Sequence, residues 1–158
     1  MKNKYSQIYV HFIFGTKKNK NLIRPHIEKR LWSYIGAVSR RMGIKPIAIG
    51  GTADHLHLLL SIPPNLSVSY IMQKLKSISS KWMNDTFYPQ FRDFRWQTGY
   101  SAFSISHSQK EKVEKYIRNQ KKRHQKISFE DELKLIVEKF DPEIKQRLGG
   151  INQMKPVG

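Results

Sequence analysis

IKPIAIGGTADHLHLLLSI, residues 44–62, holds two short apolar runs with a glycine pair between them and Pro63-Pro64 directly after. Ile44 to Ile49 and Asp54 to Ile62 are each strand-length, and glycine and proline pairs are where strands stop, so the stretch reads as a hairpin. In the second run successive side chains alternate between the two faces of a sheet. His55 and His57 therefore share one face, and Leu56, Leu58 and Leu60 share the other. The leucine face calls for a covering layer of helices, which would hold the strand rigid. The imidazole face is left for chemistry.

The flanking sequence supplies the helices. Upstream, Pro25 is placed to open a helix in which Ile27, Leu31, Tyr34, Ile35 and Val38 recur at helical spacing, with Gly43 as its stop. Before it, Tyr5 to Phe14 is β-branched and aromatic and closes on Gly15, which predicts a first strand. Downstream, Ser67 is a suitable N-cap for a helix to about Asn84, with Val68, Ile71, Met72, Leu75, Ile78 and Trp82 on one face. Phe94 to Ser106 alternates well enough for a fourth strand, with Gly99 as a bulge. Ser108 is expected to cap a third helix carrying Val113, Tyr116 and Ile117, and a fourth helix, about Ser128 to Phe140, opens on Ser128-x-x-Asp131. The order β-α-β-β-α-β followed by helices predicts an α+β, ferredoxin-like antiparallel sheet with a C-terminal extension. The expected organisation is one domain over residues 1–142 and a weakly patterned, partly disordered tail over 143–158.

Charge narrows the partners. The chain has 29 Lys+Arg against 12 Asp+Glu, a net charge of +17 in 158 residues. Such a surface attracts polyanions, and nucleic acid fits better than an anionic membrane, because the apolar residues follow strand and helix periods and do not gather into one amphipathic anchor. There are no cysteines, which excludes disulfides, thiolate nucleophiles and cysteine metal sites. No apolar run approaches a membrane span, and the N-terminal MKNKYSQIYVHFIFGTKK lacks a leader's cleavage site, so an intracellular, cytoplasmic protein is expected.

The candidate chemistry lies at two places. His55 and His57 on one strand face can share a metal ion, although His-x-His alone also fits a hydrogen-bonded pair or other phosphoesterase sites. In the third helix Tyr116 and Gln120 are four residues apart and share a face. Tyr116 also fits an ordinary apolar stripe with Val113 and Ile117. Together the four residues are coherent: two imidazole nitrogens and an amide oxygen leave positions open on a divalent cation for a phosphoryl oxygen, and a phenol one turn away can attack phosphorus. With a pKa of about 10, that phenol is ionised to roughly one part in a thousand at neutral pH, a deficit of about 4 kcal/mol that a cation or base must offset. Asp54 is the nearest carboxylate in sequence, and the base stays unassigned. Lys121, Lys122 and Arg123, beyond Gln120, are candidate DNA-phosphate contacts, as are Lys17 and Lys18 after the first strand and Arg95 before the fourth. Trp96, Tyr100 and Phe103 could stack on bases, but strand alternation favours packing for some of them.

Four segments, IYVHFIFGTK, GGTADHLHLLLSIPP, WQTGYSAFSIS and VEKYIRNQKKRH, resemble in order and separation the single-tyrosine HUH transposases of the 200/605 insertion-sequence group. The resemblance covers most of the chain, with His55-Leu56-His57 as the HUH motif. It departs from the family at one place, a glycine expected near Ser101. The resemblance implies magnesium or manganese held by His55, His57 and Gln120, and cleavage of single-stranded DNA by Tyr116. It implies a 5′-phosphotyrosine linkage with a free 3′-hydroxyl, whose stored bond energy permits rejoining. It also implies recognition of hairpin DNA near element ends and a homodimer whose tyrosine helix acts in trans. A genome-resident relative acting on repeated palindromes shares these motifs. A non-catalytic nucleic-acid binder on this fold would not need the four residues, other HUH nucleases usually place the tyrosine differently, and a small-molecule phosphoesterase would not need +17.

Overall fold

The computed structural model describes residues 5–141 and Glu143. The chain divides into two compact units, Met1–Lys122 and Arg123–Gly158.

The first unit is built on a four-stranded sheet of β1 (Tyr9–Gly15), β2 (Lys45–Gly51), β3 (His55–Ser61) and β4 (Ser101–Ile105). The order across the sheet is β2-β3-β1-β4 with antiparallel neighbours throughout, the ferredoxin-like arrangement expected from the element order. Helices α1 (Pro25–Arg41) and α2 (Val68–Thr86) cover one face. There Leu56, Leu58 and Leu60 join Phe12, Phe14, Ile27, Leu31, Ile35, Ile71, Met72 and Leu75 in one apolar core. Helix α3 (Lys110–Arg118) lies on the opposite face, where Tyr9, Ala48, Leu59, Ile105 and Ile117 form a smaller cluster. With both faces covered, every residue of β1 is buried, which is why its sequence is apolar with little alternation.

Local signals account for the helix ends. Pro25 stands at the start of α1, where its missing N–H costs no bond. At the other end Gly43 N–H donates to Arg40 O and Ile44 N–H to Ser39 O, the double bond of a Schellman motif. Gly43 carries the φ of +78° that this motif requires. Ser67 caps α2 by accepting from Tyr70 N–H at 3.1 Å.

Four sequence expectations change. The first strand begins at Tyr9, not Tyr5. The fourth begins at Ser101, not Phe94: across 94–99 only an isolated bridge of Trp96 to Thr16 remains, and side chains from α2 hold the rest. Asn84 pairs with both the N–H and the carbonyl of Phe94, and the Trp96 indole donates to Ser79 Oγ at 2.8 Å. The Lys76 ammonium donates to Gln97 O and Gly99 O at 2.6 and 2.7 Å, and partial burial pulls its pKa below the ordinary lysine value. Gly99, at φ +88°, belongs to this loop and is not a strand bulge. Trp96 is thereby a core residue, while Tyr100 is exposed. Ser108 does not cap α3, since a 3-10 turn at His107–Gln109 precedes that helix and Gln109 occupies the cap position without a side-chain bond.

The second unit contains helix α5 (Phe129–Phe140), preceded across the unit boundary by the short α4 (Gln120–Arg123). Ser128 Oγ accepts from Asp131 N–H, as the sequence pattern predicts, and Glu130, Asp131 and Glu132 place negative charge on the first turn. Apart from Glu143, the tail over residues 143–158 lies outside the described residues. Among the described residues no helix is long and apolar enough to cross a membrane.

Candidate active site

β3 delivers His55 and His57 to the face under α3, both fully buried, with their ring centroids 5.1 Å apart. Each ring is held by its Nδ1. His55 Nδ1 lies 2.7 Å from Asp54 Oδ1 and 2.9 Å from Thr52 Oγ1, and Thr52 donates to the same carboxylate oxygen. His57 Nδ1 lies 2.8 Å from Nε2 of a third buried histidine, His11 on β1. Asp54 is therefore an anchor of His55, which answers the question of its part more simply than a role as base.

Gln120 comes from the other side. Helix α3 ends at Arg118, and Asn119 leaves helical geometry before the short turn Gln120–Arg123, so Tyr116 and Gln120 do not sit on one uninterrupted helix as the spacing predicted. The Gln120 side chain points inward, where it is 1% exposed. Its Oε1 lies 2.9 Å from His55 Nε2, and its Nε2 points to Tyr116 O at 3.4 Å. The Tyr116 ring stands edge-on to His57, 5.7 Å between centroids, and 6.4 Å from His11. Tyr116 is half-buried and also touches the small apolar cluster, so both sequence readings of it hold in part.

These donors fit a divalent cation. If the Asp54 carboxylate accepts the Nδ1 proton of His55, a neutral ring presents a lone pair at Nε2, facing the lone pairs of Gln120 Oε1. At 2.9 Å the pair is a hydrogen bond when Nε2 carries a proton, and the two lone pairs could hold a divalent cation when it does not. Imidazole nitrogens and an amide oxygen, without thiolate, are a donor set that could hold a divalent cation.

α3 reaches this position because β2 ends in glycine. A Cβ on Gly50 would stand 2.5 Å from the Ile117 carbonyl oxygen and 3.1 Å from its Cγ2, closer than packing allows. The sequence reading treats Gly50-Gly51 only as the end of a strand. It also misses His11, whose one signal is a polar ring inside an apolar strand.

The candidate phosphate contacts fall into two groups. Lys17, Lys18 and Arg95 surround one hollow of about 210 Å³ together with Lys20 and Asp93, and Asp93 pairs with Arg95 at 2.7 Å. Thr16 N–H donates to Asp54 O, which ties this basic loop to the strand bearing the histidines. Beyond Gln120 the cations are mostly engaged by carboxylates. Lys121 Nζ pairs with Glu28 at 2.9 Å, Arg123 and His124 both pair with Glu132 at 3.2 Å, and Lys122 is exposed.

The chain matches the family model described as "Transposase IS200 like" over residues 4–120. It is 24% identical over 119 residues to the ISDra2 transposase TnpA of Deinococcus radiodurans, covering 72% of this chain and 84% of that one. It is 27% identical over 118 residues to the transposase for insertion sequence element IS200 of Salmonella typhimurium, covering 70% and 74%. Among solved structures, a REP-associated tyrosine transposase bound to a REP hairpin superposes with a TM-score of 0.58 at 15% identity, over 78% of this chain and 73% of that one. A Deinococcus radiodurans protein superposes with a TM-score of 0.61 at 21% identity, over 76% and 95%. The family match takes in the whole sheet and closes on the glutamine that faces His55, and this chain belongs to the IS200-like transposase family.

Proposed function

We propose that the protein cleaves and rejoins single-stranded DNA through Tyr116, at a divalent-metal site formed by His55, His57 and Gln120. The observation that carries this reading is the 2.9 Å approach of His55 Nε2 and Gln120 Oε1 on the sheet face where Tyr116 stands against His57. When bound, magnesium or manganese supplies a positive charge that polarises the scissile phosphate. The chain's own groups do the rest. Tyr116 Oη gives up its proton and forms a bond to phosphorus, the bond from phosphorus to the 3′-oxygen breaks, and that oxygen takes up a proton. The 5′-phosphate stays on tyrosine, and attack by a 3′-hydroxyl reverses the sequence without a nucleotide cofactor. Lys17, Lys18, Arg95 and Lys122 are proposed to hold DNA phosphates. Lys121 and Arg123 would do so in competition with Glu28 and Glu132.

A DNA hairpin is the proposed substrate, supported by the net charge of +17 and by the family. The test is incubation with manganese and labelled single-stranded hairpins taken from beside the gene and from repeated palindromes of the same genome, followed by a denaturing gel. A metal-dependent protein–DNA adduct, absent with Tyr116→Phe, is expected. Binding to every hairpin with no adduct would mean a DNA-binding relative without the reaction. Which hairpin reacts separates a mobile element from a resident one.

The family resemblance extends the reading to a homodimer acting in trans. Mixing Tyr116→Phe with His57→Ala tests it: recovered cleavage means that one copy's tyrosine serves the other's histidines, and none means that each chain serves itself.

A further inference from the structure

We propose that His11 is a positioning residue that selects the tautomer of His57 needed for metal binding; this rests on the metal site proposed above. His11 lies opposite Leu59 in the β1–β3 ladder and Ile13 lies opposite His57, so His11 and His57 are diagonal neighbours on one face. Diagonal positions are within reach of long and aromatic side chains. The two rings meet at 5.1 Å between centroids, with His11 Nε2 and His57 Nδ1 2.8 Å apart.

A neutral imidazole carries its proton on one nitrogen and can bind metal only through the other. For His57 to present Nε2 to a cation beside His55, its Nδ1 must hold the proton and donate it. His11 Nε2, 2.8 Å away, is placed to accept it. A ligating histidine ordinarily gives its second N–H to a carboxylate or carbonyl, and Asp54 fills that place for His55. For His57 the same place is taken by an imidazole buried to 4% exposure on a neighbouring strand. A polar ring sealed beside Leu59 and Tyr9 loses free energy unless it is hydrogen-bonded, and this bond provides a reason for a histidine at position 11.

The test uses the full chain in two measurements. Long-range proton–nitrogen NMR of the ring nitrogens, on metal-free protein, reads the His57 tautomer. Depletion of the free manganese EPR signal reads affinity. His57 protonated on Nδ1 in the wild type, and shifted away from that form in His11→Met, is the expected result. Manganese affinity should fall about 10- to 100-fold in His11→Met. His11→Gln, whose amide oxygen can replace Nε2 as acceptor, should recover most of it. A wild-type His57 protonated on Nε2 overturns the inference with no variant needed. So does unchanged manganese affinity in His11→Met when His57→Ala has lost it. Unchanged affinity in His57→Ala overturns instead the metal site beneath the inference.

Discussion

The two faces of β3 obey different rules although their residues alternate along one strand. On the helical face Leu56, Leu58 and Leu60 are fully buried among apolar side chains of α1 and α2, and each contributes about 1.5–3 kcal/mol simply by leaving water. On the other face His55 and His57 are equally buried, yet both nitrogens of His55 and Nδ1 of His57 meet polar partners. Burial on the first face is stability. On the second it costs stability unless every bond is made, and it is repaid as a rigid, water-poor setting for charge. The comparison teaches that equal burial can carry opposite energetic meaning.

Substitutions that change one face and spare the other can break this contrast. The largest effect is expected from Tyr116→Phe, which should reduce the covalent DNA adduct to background while shifting urea-unfolding stability by no more than about 1 kcal/mol, because the half-buried ring is retained. A substantial loss of stability would mean that the Tyr116 hydroxyl holds the fold together, since phenylalanine keeps the packing of the ring. Leu58→Ala is the reverse case. It should cost about 2–5 kcal/mol in the same unfolding experiment, because the cavity opens in the dense core. Adduct yield per folded molecule should stay near wild type at low temperature. If adduct formation disappears while the protein remains folded, the two faces are coupled more tightly than separate layers allow.

Gly50→Ala probes the seam where α3 meets the sheet. Its methyl would meet the Ile117 backbone, so the helix must move outward, at about 1–3 kcal/mol. Thermal melting measures that cost, and the adduct assay should fall with it, since Tyr116 rides on the displaced helix. Full activity in this variant would show that α3 need not sit against β2 to react. The smallest effect is expected for the ion pair of Glu28 and Lys121. Lys121 is largely exposed, and a double-mutant cycle with Glu28→Gln and Lys121→Met should give a coupling of about 0.2–1 kcal/mol. A coupling near zero alongside weaker DNA binding by Lys121→Met would return that lysine to the phosphate contacts.

Much of this was legible in one dimension. The strand-helix order follows from periodicity, and the caps at Ser67 and Ser128 follow from their side-chain oxygens, because such bonds span only three residues. His55 and His57 share a face by the pleat alone. The run from Phe94 to Gly99 keeps only one strand-like bridge, at Trp96, and the side chains that hold the rest, on Ser79, Asn84 and Lys76, lie ten or more residues away in α2.

What the sequence by itself determined, then, is the sheet's topology, which side chains share a face, the strong positive charge and the set of residues proposed to bind metal and attack phosphorus. All of these depend on chain-local geometry or on composition. Only the tertiary structure decided that Gln120 turns in at a helix break to meet His55, that His11 backs His57 from the next strand, that Gly50 leaves room for α3, and that Lys121 is paired with Glu28. Those facts join residues 46 to 93 positions apart, and contacts at such separations are set by how the layers pack, which no local pattern records.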